Sequence, residues 1–400
     1  MKTRCPVQFQ NLDFCAPSTH DNPYAMYDYF LEHEPLYFDE KNGVWEVFRY
    51  DDIVQIERDT ETFINSEGVR PNIPPDPAMI YQDGEQHNRQ RALVSSAFTP
   101  RQMRKMEDRA RVIVAELVDN MLQQSEVEII RDLASPLPLR LICDMLGTPE
   151  EKREGVREWI NTMIQGGNGP DYVTDEVNDA FDQFIMLHEE MHDARLEAGC
   201  TGSDILTIWI NAEINGEKLD ESQLLFEHVL LNTGGAETTR SAIAGGLERL
   251  SNDPKQYDAL YENPGLIPNA VEEILRWVCP FINMYRTAAR DYELHGKVIK
   301  EGQQVGLTYP AANRDPRKFG DPHTFNIFRD FSKGGKHLSF GLGPHFCLGA
   351  SLARLEIRLS LEEMTQRVKS IRIPEGKEVE YISASFTRGL SKFPAILEPR

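Results

Sequence analysis

The chain has 400 residues, of which 40% are hydrophobic and 27% charged, and its formal net charge is −21. This composition is ordinary for a globular protein with enough apolar residues for a large core. The negative charge argues against nucleic acid and against an anionic membrane surface as partners, because both are bound through basic surfaces.

The cysteines and the N-terminal region predict a cytoplasmic location. The six cysteines show no CxxC pair and no regular spacing, unlike the disulfide framework of small secreted domains. No apolar segment typical of a signal peptide follows the N-terminus, and no run of eighteen apolar residues predicts a membrane anchor.

The N-terminal part predicts a helix, a hairpin and a second helix. Asn22-Pro23 precedes a helical pattern that reaches Glu32. Residues 36–38 and 44–48 flank Asn42-Gly43, and Asn-Gly between two alternating segments is a strong hairpin signal. Asp51-Asp52 then indicates the start of another helix.

Residues 65–84 form a proline-rich connection without periodicity, and connections of this length are often binding loops or lids. The helix that follows carries His87 and Arg91 four residues apart, and therefore on one face. This pair suits a carboxylate or phosphate group, although an exposed helix surface is the alternative interpretation.

Residues 101–210 predict a series of helices interrupted at the glycine-rich residues 166–170. The longest helical pattern covers residues 219–251 and contains Gly234-Gly235, followed by Glu237-Thr238. Two glycines inside a helix cost about 2 kcal/mol relative to alanine. Close approach of a flat ligand would offset this cost, and the acid Glu237 and the alcohol Thr238 would then form a proton relay. Close packing of two helices is the alternative.

Three further signals follow along the chain. Glu273 and Arg276 share a helix face and suit an ion pair, although such pairs are common on surfaces. An extended segment follows Pro280, and residues 313–316 predict a turn. From residue 371 onward, alternating segments broken by proline and glycine predict short strands.

Residues 340–349 contain three glycines and a proline around Cys347, directly before a helical pattern. Glycine is favoured where the backbone has a positive φ or approaches another group closely. A cysteine at a helix N-terminus is stabilised as the thiolate, which can serve as an axial metal ligand. A small buried thiol is the alternative.

These motifs, in this order, resemble those of the cytochrome P450 haem-thiolate monooxygenases, and the length is similar to that of the soluble bacterial members. The resemblance rests on Phe340-Gly-x-Gly-x-His-x-Cys347-x-Gly349, Glu273-x-x-Arg276, Gly234-Gly-Ala-Glu237-Thr238 and His87-x-x-x-Arg91. It implies one domain over residues 1–400, mainly α with a small β portion. Haem b, iron protoporphyrin IX, would lie between the long central helix and the helix after the cysteine loop.

The resemblance also implies roles for individual residues. Cys347 would be the axial ligand of the haem iron, in a loop that includes Phe340 and Gly349, and Gly234 and Gly235 would let the long helix pass over the haem. Thr238 and Glu237 would deliver protons during oxygen activation. The expected partners of the haem propionates are His87, Arg91, Arg286, His337 and His345, and a structural ion-pair group is expected from Glu273, Arg276 and Arg314.

The function implied is insertion of one oxygen atom of O2 into a hydrophobic small molecule, with a steroid or terpenoid favoured over a fatty chain. Electrons would come from a separate ferredoxin and its reductase, and Arg101, Arg104, Lys105, Lys333 and Lys336 are candidates for the docking surface. Alternatives are a peroxide-driven haem-thiolate enzyme, against which the acid–alcohol pair argues, and a non-catalytic haem sensor, which would normally carry another domain.

By the resemblance, substrate contacts are expected from the loop before the His87 helix, the Gly166 region, the long helix, the segment after Pro280 and a C-terminal turn. These segments offer mainly apolar side chains: Ile73, Met79, Ile80, Leu231, Phe281, Ile282, Met284 and Phe386, with Ser385 beside the last.

Overall fold

The computed structural model describes residues 9–400, except for the side chains of residues 333 and 334. Lys333 of the predicted docking surface and Cys5 therefore lie outside the described part. Between residues 9 and 400, no helix is both long enough and apolar enough to cross a membrane.

Helices dominate the described structure, as the periodic patterns predicted. In chain order they are α1 (Tyr24–His33), α2 (Tyr50–Arg58), α3 (Gly84–Ser95), α4 (Pro100–Leu122), α5 (Pro136–Leu146), α6 (Arg153–Met163), α7 (Asp175–Glu197), α8 (Ile205–Asn211), α9 (Glu221–Ser251), α10 (Pro254–Glu262), α11 (Ile267–Val278), α12 (Tyr309–Ala312), α13 (Phe331–Gly334) and α14 (Ala350–Arg367).

The strands form several small sheets rather than one layer. They are β1 (Leu36–Asp39), β2 (Val44–Val47), β3 (Phe63–Ile64), β4 (Val127–Glu128), β5 (Asn283–Ala288), β6 (Tyr292–Leu294), β7 (Lys297–Ile299), β8 (Gln304–Thr308), β9 (Val368–Arg372), β10 (Glu380–Tyr381), β11 (Leu390–Lys392) and β12 (Pro394–Pro399).

The largest sheet has the order β1-β2-β8-β5-β3, with β2 and β8 parallel and the other pairs antiparallel. The predicted hairpin is confirmed: β1 and β2 pair with Leu36 opposite Val47, and Gly43 in the turn has φ of 69°. A second sheet has the order β4-β12-β9, and β6–β7 and β10–β11 are two-stranded. The small β portion of the predicted fold class is thereby confirmed.

Helix α9 crosses the centre of the molecule. Asp220 and Gln223 form a reciprocal capping box at its start: the Gln223 N–H donates to Asp220 Oδ1 at 2.8 Å. The helix packs against α5, α11 and α14. At Gly246, a Cβ would lie 2.6 Å from Ile274 of α11, so these two helices need a glycine at their closest contact.

The buried ion-pair group differs from the expected one in its third member. Arg276 donates from Nε and Nη2 to the two carboxylate oxygens of Glu273, both at 2.8 Å, and both side chains are fully buried. The second arginine on Glu273 is Arg329, at 2.9 Å. Arg314 instead donates to the Trp277 carbonyl at 2.8 Å and lies over the Trp277 ring. The turn that carries Arg314 leads its side chain to the end of α11 and away from the carboxylate.

Candidate active site

A cavity of about 540 Å³ lies between α9, α3, the connection of residues 65–83, β5 and the cysteine loop. Most of the predicted site residues line it. These are His87, Arg91, Gly234, Gly235, Thr238, Arg286, Phe340, His345, Cys347 and Gly349, together with Ile73, Met79, Ile80, Leu231, Phe281, Met284 and Phe386. Segments more than 300 residues apart in sequence therefore converge on one space.

The cysteine loop has its shape because two of its glycines adopt conformations that other residues avoid. Gly341 has φ of 63° and Gly343 has φ of 73°. A Cβ on Gly343 would lie 2.8 Å from the Glu57 carbonyl oxygen, so the loop also packs tightly on the end of α2. Gly349 is different: its φ is −79°, and a Cβ there would make an ordinary contact of 3.9 Å with Cys347 Sγ.

The loop presents the Cys347 thiol to the cavity. The Cys347 N–H donates to the Phe340 carbonyl at 2.9 Å, which closes the loop, and α14 begins at Ala350. Cys347 is exposed to the cavity, but the surrounding protein partly desolvates its thiol and thereby raises the pKa, whereas hydrogen bonds from the Gly349 and Ala350 backbone and the charge of Arg91 act to lower it. A cation bound at this sulfur would supply the missing stabilisation of the thiolate.

Four basic side chains form a rim on one side of the cavity. The His87 and His345 rings lie 4.1 Å apart between centroids, and Arg91 donates to the Phe346 carbonyl at 2.5 Å. Desolvation, followed by the charges of Arg286, His87 and Arg91, lowers the pKa of His345 to about 2. The two histidines are therefore neutral at neutral pH, because the pKa of His87 is lowered as well, and Arg91 and Arg286 give the rim the positive charge that favours an anion.

Acidic groups near this rim compensate only part of its charge. Glu57 Oε1 lies 3.6 Å from Arg286 Nη2 and accepts a hydrogen bond from the Tyr309 hydroxyl at 2.8 Å. Burial raises the pKa of Glu57. His87 Nε2 is buried without a hydrogen-bond partner in the described part of the chain. The cysteine, the cationic rim and this unpaired nitrogen fit a flat metal-containing cofactor with carboxylate groups.

On the opposite wall, the two glycines of α9 have different surroundings. A Cβ on Gly234 would meet nothing within 4 Å, so this position is open toward the cavity. A Cβ on Gly235 would lie 2.4 Å from Ile142 of α5, so this glycine also serves helix packing. The open space at Gly234 is compatible with the close approach of a ligand, and the contact at Gly235 supports close helix packing. Between them and the rim, the Thr238 hydroxyl donates to the Gly234 carbonyl at 2.7 Å.

Glu237 and His337 do not line the cavity, contrary to expectation. Glu237 is buried and paired with Arg240, one turn further along α9. His337 is buried with both ring nitrogens engaged: Nε2 lies 3.2 Å from Glu272, and Nδ1 accepts from the Ser339 N–H at 3.3 Å. Their motif positions are near the cavity, but helix rotation and the chain direction turn these side chains away from it.

Ile282 is the remaining predicted residue that does not line the cavity. Its side chain is buried in the core, while its N–H donates to the Phe386 carbonyl at 2.9 Å. Alternation along the strand explains this, because neighbouring residues of an extended segment point to opposite sides. Ser385 is likewise buried, and its N–H donates to Asn168 Oδ1 at 2.8 Å.

Several polar residues of the cavity were not predicted. The charged ones are Glu57, Arg70, Asp76, Glu227 and Glu356. Burial raises the pKa of Asp76 to about 6 and that of Glu227 to about 7. Glu227 Oε1 accepts from the Met79 N–H at 2.6 Å and from Gln90 at 2.8 Å, and so ties the connection of residues 65–83 to α9. Its position in the apolar first half of α9 is the sequence feature that marks it, because a charged residue among apolar ones is rarely without a partner.

The comparisons agree with the class that this geometry defines. A thiol at a helix start, facing a cavity with a cationic rim beneath a long helix, defines a haem-thiolate protein. A family model described as cytochrome P450 matches residues 265–389. The steroid C26-monooxygenase of Mycolicibacterium smegmatis is 33% identical over 401 residues, covering 100% of this chain and 98% of the relative. The chain belongs to the cytochrome P450 family.

Two further proteins indicate the range of similar members. The methyl-branched lipid omega-hydroxylase of Mycobacterium tuberculosis is 35% identical over 373 residues, which cover 88% of this chain and 84% of the relative. The structure of CYP109E1 from Bacillus megaterium in complex with testosterone superimposes with a TM-score of 0.83 at 29% identity, covering 94% of this chain and 99% of that one. The protein is therefore a cytochrome P450 monooxygenase with haem as cofactor.

Proposed function

We propose that this protein hydroxylates a steroid or a lipid of similar length. The observation that carries the proposal is the lining of the cavity beside Thr238, which consists mainly of apolar and aromatic side chains, including Ile73, Leu231 and Phe281. Relatives named for steroid and methyl-branched lipid oxidation support a long hydrophobic substrate. A terpenoid, the other expected class, has no such support among these relatives.

Haem would be held by Cys347 through its iron and by the cationic rim through its propionates. The residues proposed for the rim are His87, Arg91, Arg286 and His345, and the unpaired His87 Nε2 supports this role. His337 is omitted, because both of its ring nitrogens have other partners. When bound, haem supplies the oxygen-activating chemistry, and the protein supplies orientation, protons and exclusion of water.

We propose Thr238 as the residue that holds the last proton donor at the cavity wall. Its hydroxyl is positioned by the Gly234 carbonyl and can exchange this partner for water. Glu237 can act in the relay only if its side chain leaves Arg240. Burial raises the pKa of Glu237, while Arg240 opposes the shift, so separation from Arg240 would favour the protonated acid that a relay needs.

The redox partner is proposed to be a small ferredoxin that docks beside α14. A groove at this face is lined by Arg104, Arg354 and Arg358, with Glu107 and Glu272 between them. Arg354 and Arg358 are paired with acids. The exposed Arg101, Arg104, Lys105 and Lys336 form no ion pairs within the described residues and remain available to an acidic partner.

We further propose that residues 1–400 act as one domain in the cytoplasm. Elements from both ends of the described chain share the cavity, which supports a single unit. The five cysteines in residues 9–400 are all free, as a reducing compartment requires.

The proposal is tested with the haem-loaded protein. Titration with neutral sterols, terpenes and fatty alcohols should shift the haem absorption spectrum for at least one steroid or long lipid. Turnover with a surrogate ferredoxin and reductase should give a hydroxylated product. Binding and turnover confined to small polar molecules would contradict the substrate class. Substitution of Arg104 and Lys336 by Glu should slow reduction and weaken its salt dependence if the docking face is correct.

A further inference from the structure

Arg70 is a buried cation in the wall of the substrate cavity. It lies in the connection of residues 65–83 and is only 5% exposed. Its Nε donates to the Gly167 carbonyl at 2.8 Å, and its Nη1 donates to the backbone carbonyl and to Oδ1 of Asn283, both at 2.9 Å. These acceptors are all neutral, so none of them balances the charge.

The third nitrogen of the guanidinium is unpaired. Arg70 Nη2 is buried and has no hydrogen-bond partner among residues 9–400. Arg70 is charged at neutral pH, because burial lowers its pKa only to about 10. A buried donor left unpaired and a buried charge without a counter-ion are both unfavourable, and either would be relieved by an anionic oxygen atom.

The surroundings hold the guanidinium in one orientation. Its carbon lies 3.8 Å from the centroid of the Phe386 ring, on which it stacks. Gly167 makes this arrangement possible, since a Cβ there would lie 2.4 Å from the Phe386 ring. Three distant segments therefore fix Arg70, and a side chain so immobilised loses little entropy when it binds a ligand.

The acids of the cavity do not neutralise Arg70. Four acids line the same cavity, namely Glu57, Asp76, Glu227 and Glu356, and none of them forms an ion pair with Arg70 in the described structure. Asp76 and Glu227 each accept a backbone N–H hydrogen bond, and Glu57 lies beside Arg286. Glu46 is buried behind Tyr285 and is hydrogen-bonded to the Tyr285 and Thr308 hydroxyls. Burial raises the pKa of Glu46 to about 7, so this acid is a weak counter-charge.

We infer that the preferred substrate of this protein is a hydrophobic carboxylic acid whose carboxylate is bound by Arg70. The inference rests on the proposed function and specifies its substrate class. A carboxylate accepts a charge-assisted hydrogen bond from Nη2 and also neutralises the guanidinium. An alcohol or ketone oxygen can accept the hydrogen bond but leaves the charge unbalanced. The apolar remainder of the molecule then occupies the cavity between Arg70 and Thr238.

The test compares acids with their methyl esters, which match them in size and lack the charge. Hexadecanoic acid and 5β-cholanoic acid, each with its ester, are titrated into the haem-loaded protein, and Kd is measured from the absorption shift. The wild type should bind at least one acid tenfold or more tightly than its ester, a difference that corresponds to about 1.4 kcal/mol. Equal affinities for acid and ester in both pairs would overturn the inference.

Variants distinguish anchoring from a structural role. Arg70→Leu should bring the ratio of acid affinity to ester affinity close to one, whereas Arg70→Lys should retain part of the preference. An equal loss for acid and ester would overturn the inference, because it would mean that Arg70 only holds the cavity wall. If Arg70→Leu fails to fold, Arg70→Gln and Arg70→Lys provide the same comparison.

Arg290→Gln is the matched control. Arg290 is exposed, donates to Thr62 Oγ1 and does not line the cavity, so its loss removes the same charge at another place. The acid preference should be unchanged in this variant, and a loss equal to that in Arg70→Leu would contradict specific anchoring. Tight binding of neutral steroids or esters without a preference for acids would contradict the inference about Arg70 and leave the proposed function intact. Failure of every hydrophobic probe to bind would contradict both the inference and the proposed function.

Discussion

The two ends of the cavity are built differently. The end that faces Cys347 is formed by one short loop, whose backbone conformation depends on Gly341 and Gly343, and by basic side chains from α3 and β5. The opposite end is formed by side chains from the connection of residues 65–83, residues 166–167, the part of α9 before Gly234 and the turn at Phe386. The first end is defined by local backbone geometry, and the second by the packing of segments that are distant in sequence.

This difference explains why one end is expected to determine the reaction and the other the choice of substrate. The loop directs its own N–H groups at Cys347, and this arrangement does not depend on which substrate is bound. The same reaction therefore requires the same types of residue in the loop. Under the proposed function, the far end would contact only the part of the substrate that does not react, so its side chains could vary without loss of the chemistry. We therefore expect substitutions at the first end to affect all substrates equally and substitutions at the second to change the preference among them.

The largest effect is expected for Cys347→Ser. A serine oxygen cannot replace the thiolate as an electron-donating ligand, so turnover should fall below detection for every substrate. The absorption band characteristic of thiolate-ligated, reduced, carbon monoxide-bound haem should disappear. Cys279→Ser, at a buried cysteine outside the cavity, is the control and should retain the band. A thiolate-type spectrum in Cys347→Ser would refute the ligand assignment.

A second large effect is expected for Thr238→Ala. Loss of the hydroxyl removes the positioned proton donor, and general acid catalysis contributes about 100-fold or more to rate in typical cases. We expect product per electron consumed to fall severalfold, with hydrogen peroxide released in its place, for every substrate tested. Thr233→Ala, whose hydroxyl donates to the Val229 carbonyl in the same helix, is the comparison. Unchanged coupling in Thr238→Ala would remove this residue from the relay.

At the cationic rim, Arg91→Leu should weaken retention of haem without changing substrate preference. The variant loses the hydrogen bond to the Phe346 carbonyl and a charge near the proposed propionates, each typically worth about 1–3 kcal/mol. Haem transfer to apomyoglobin measures the effect, and we expect about tenfold or greater acceleration. Arg89→Leu, on the exposed side of the same helix, is the control and should leave the rate unchanged.

At the opposite end, Phe281→Ala should change preference without changing haem retention. The side chain lies 4.8 Å from Phe386 between ring centroids, and its removal enlarges the cavity where the unreactive part of the substrate is expected. Differences of this size in a hydrophobic pocket shift relative kcat/KM values by about 10–200-fold. Competition between a slim fatty alcohol and a bulky sterol measures the shift. A uniform decrease for both would contradict the division between the two ends.

The smallest effect is a pH dependence of stability at Glu227. The pKa of this carboxyl is about 7 in the folded protein and about 4.5 in the unfolded chain, because burial disfavours its charge. The folded protein thus retains a proton that the unfolded chain releases, and stability from this group is lost as pH rises from about 4.5 to about 7. Glu227→Gln should therefore gain stability relative to wild type across this interval, by a few degrees in melting temperature. A difference that is constant with pH would contradict the raised pKa.

Local sequence patterns determined the elements and the reaction class. The capping residue Asp220, the turn at Asn42-Gly43 and the glycines of the cysteine loop act within a few residues, so their consequences can be recognised without a tertiary structure. The same holds for His87 and Arg91, whose common face follows from helical spacing. The order of the motifs then led to the family, which the comparisons confirm.

Only the tertiary structure decided which side chains face one another. Arg329 rather than Arg314 completes the group on Glu273, His337 turns to Glu272, and Glu237 pairs with Arg240. Each depends on helix rotation and on the path of a loop, which are set by packing over the whole core. Arg70 depends on it most, since its carbonyl acceptors and its aromatic contact come from three segments far apart in sequence. The inferred ligand class of the cavity follows from the way these segments surround Arg70. Its charge is buried and unpaired only once the chain has folded.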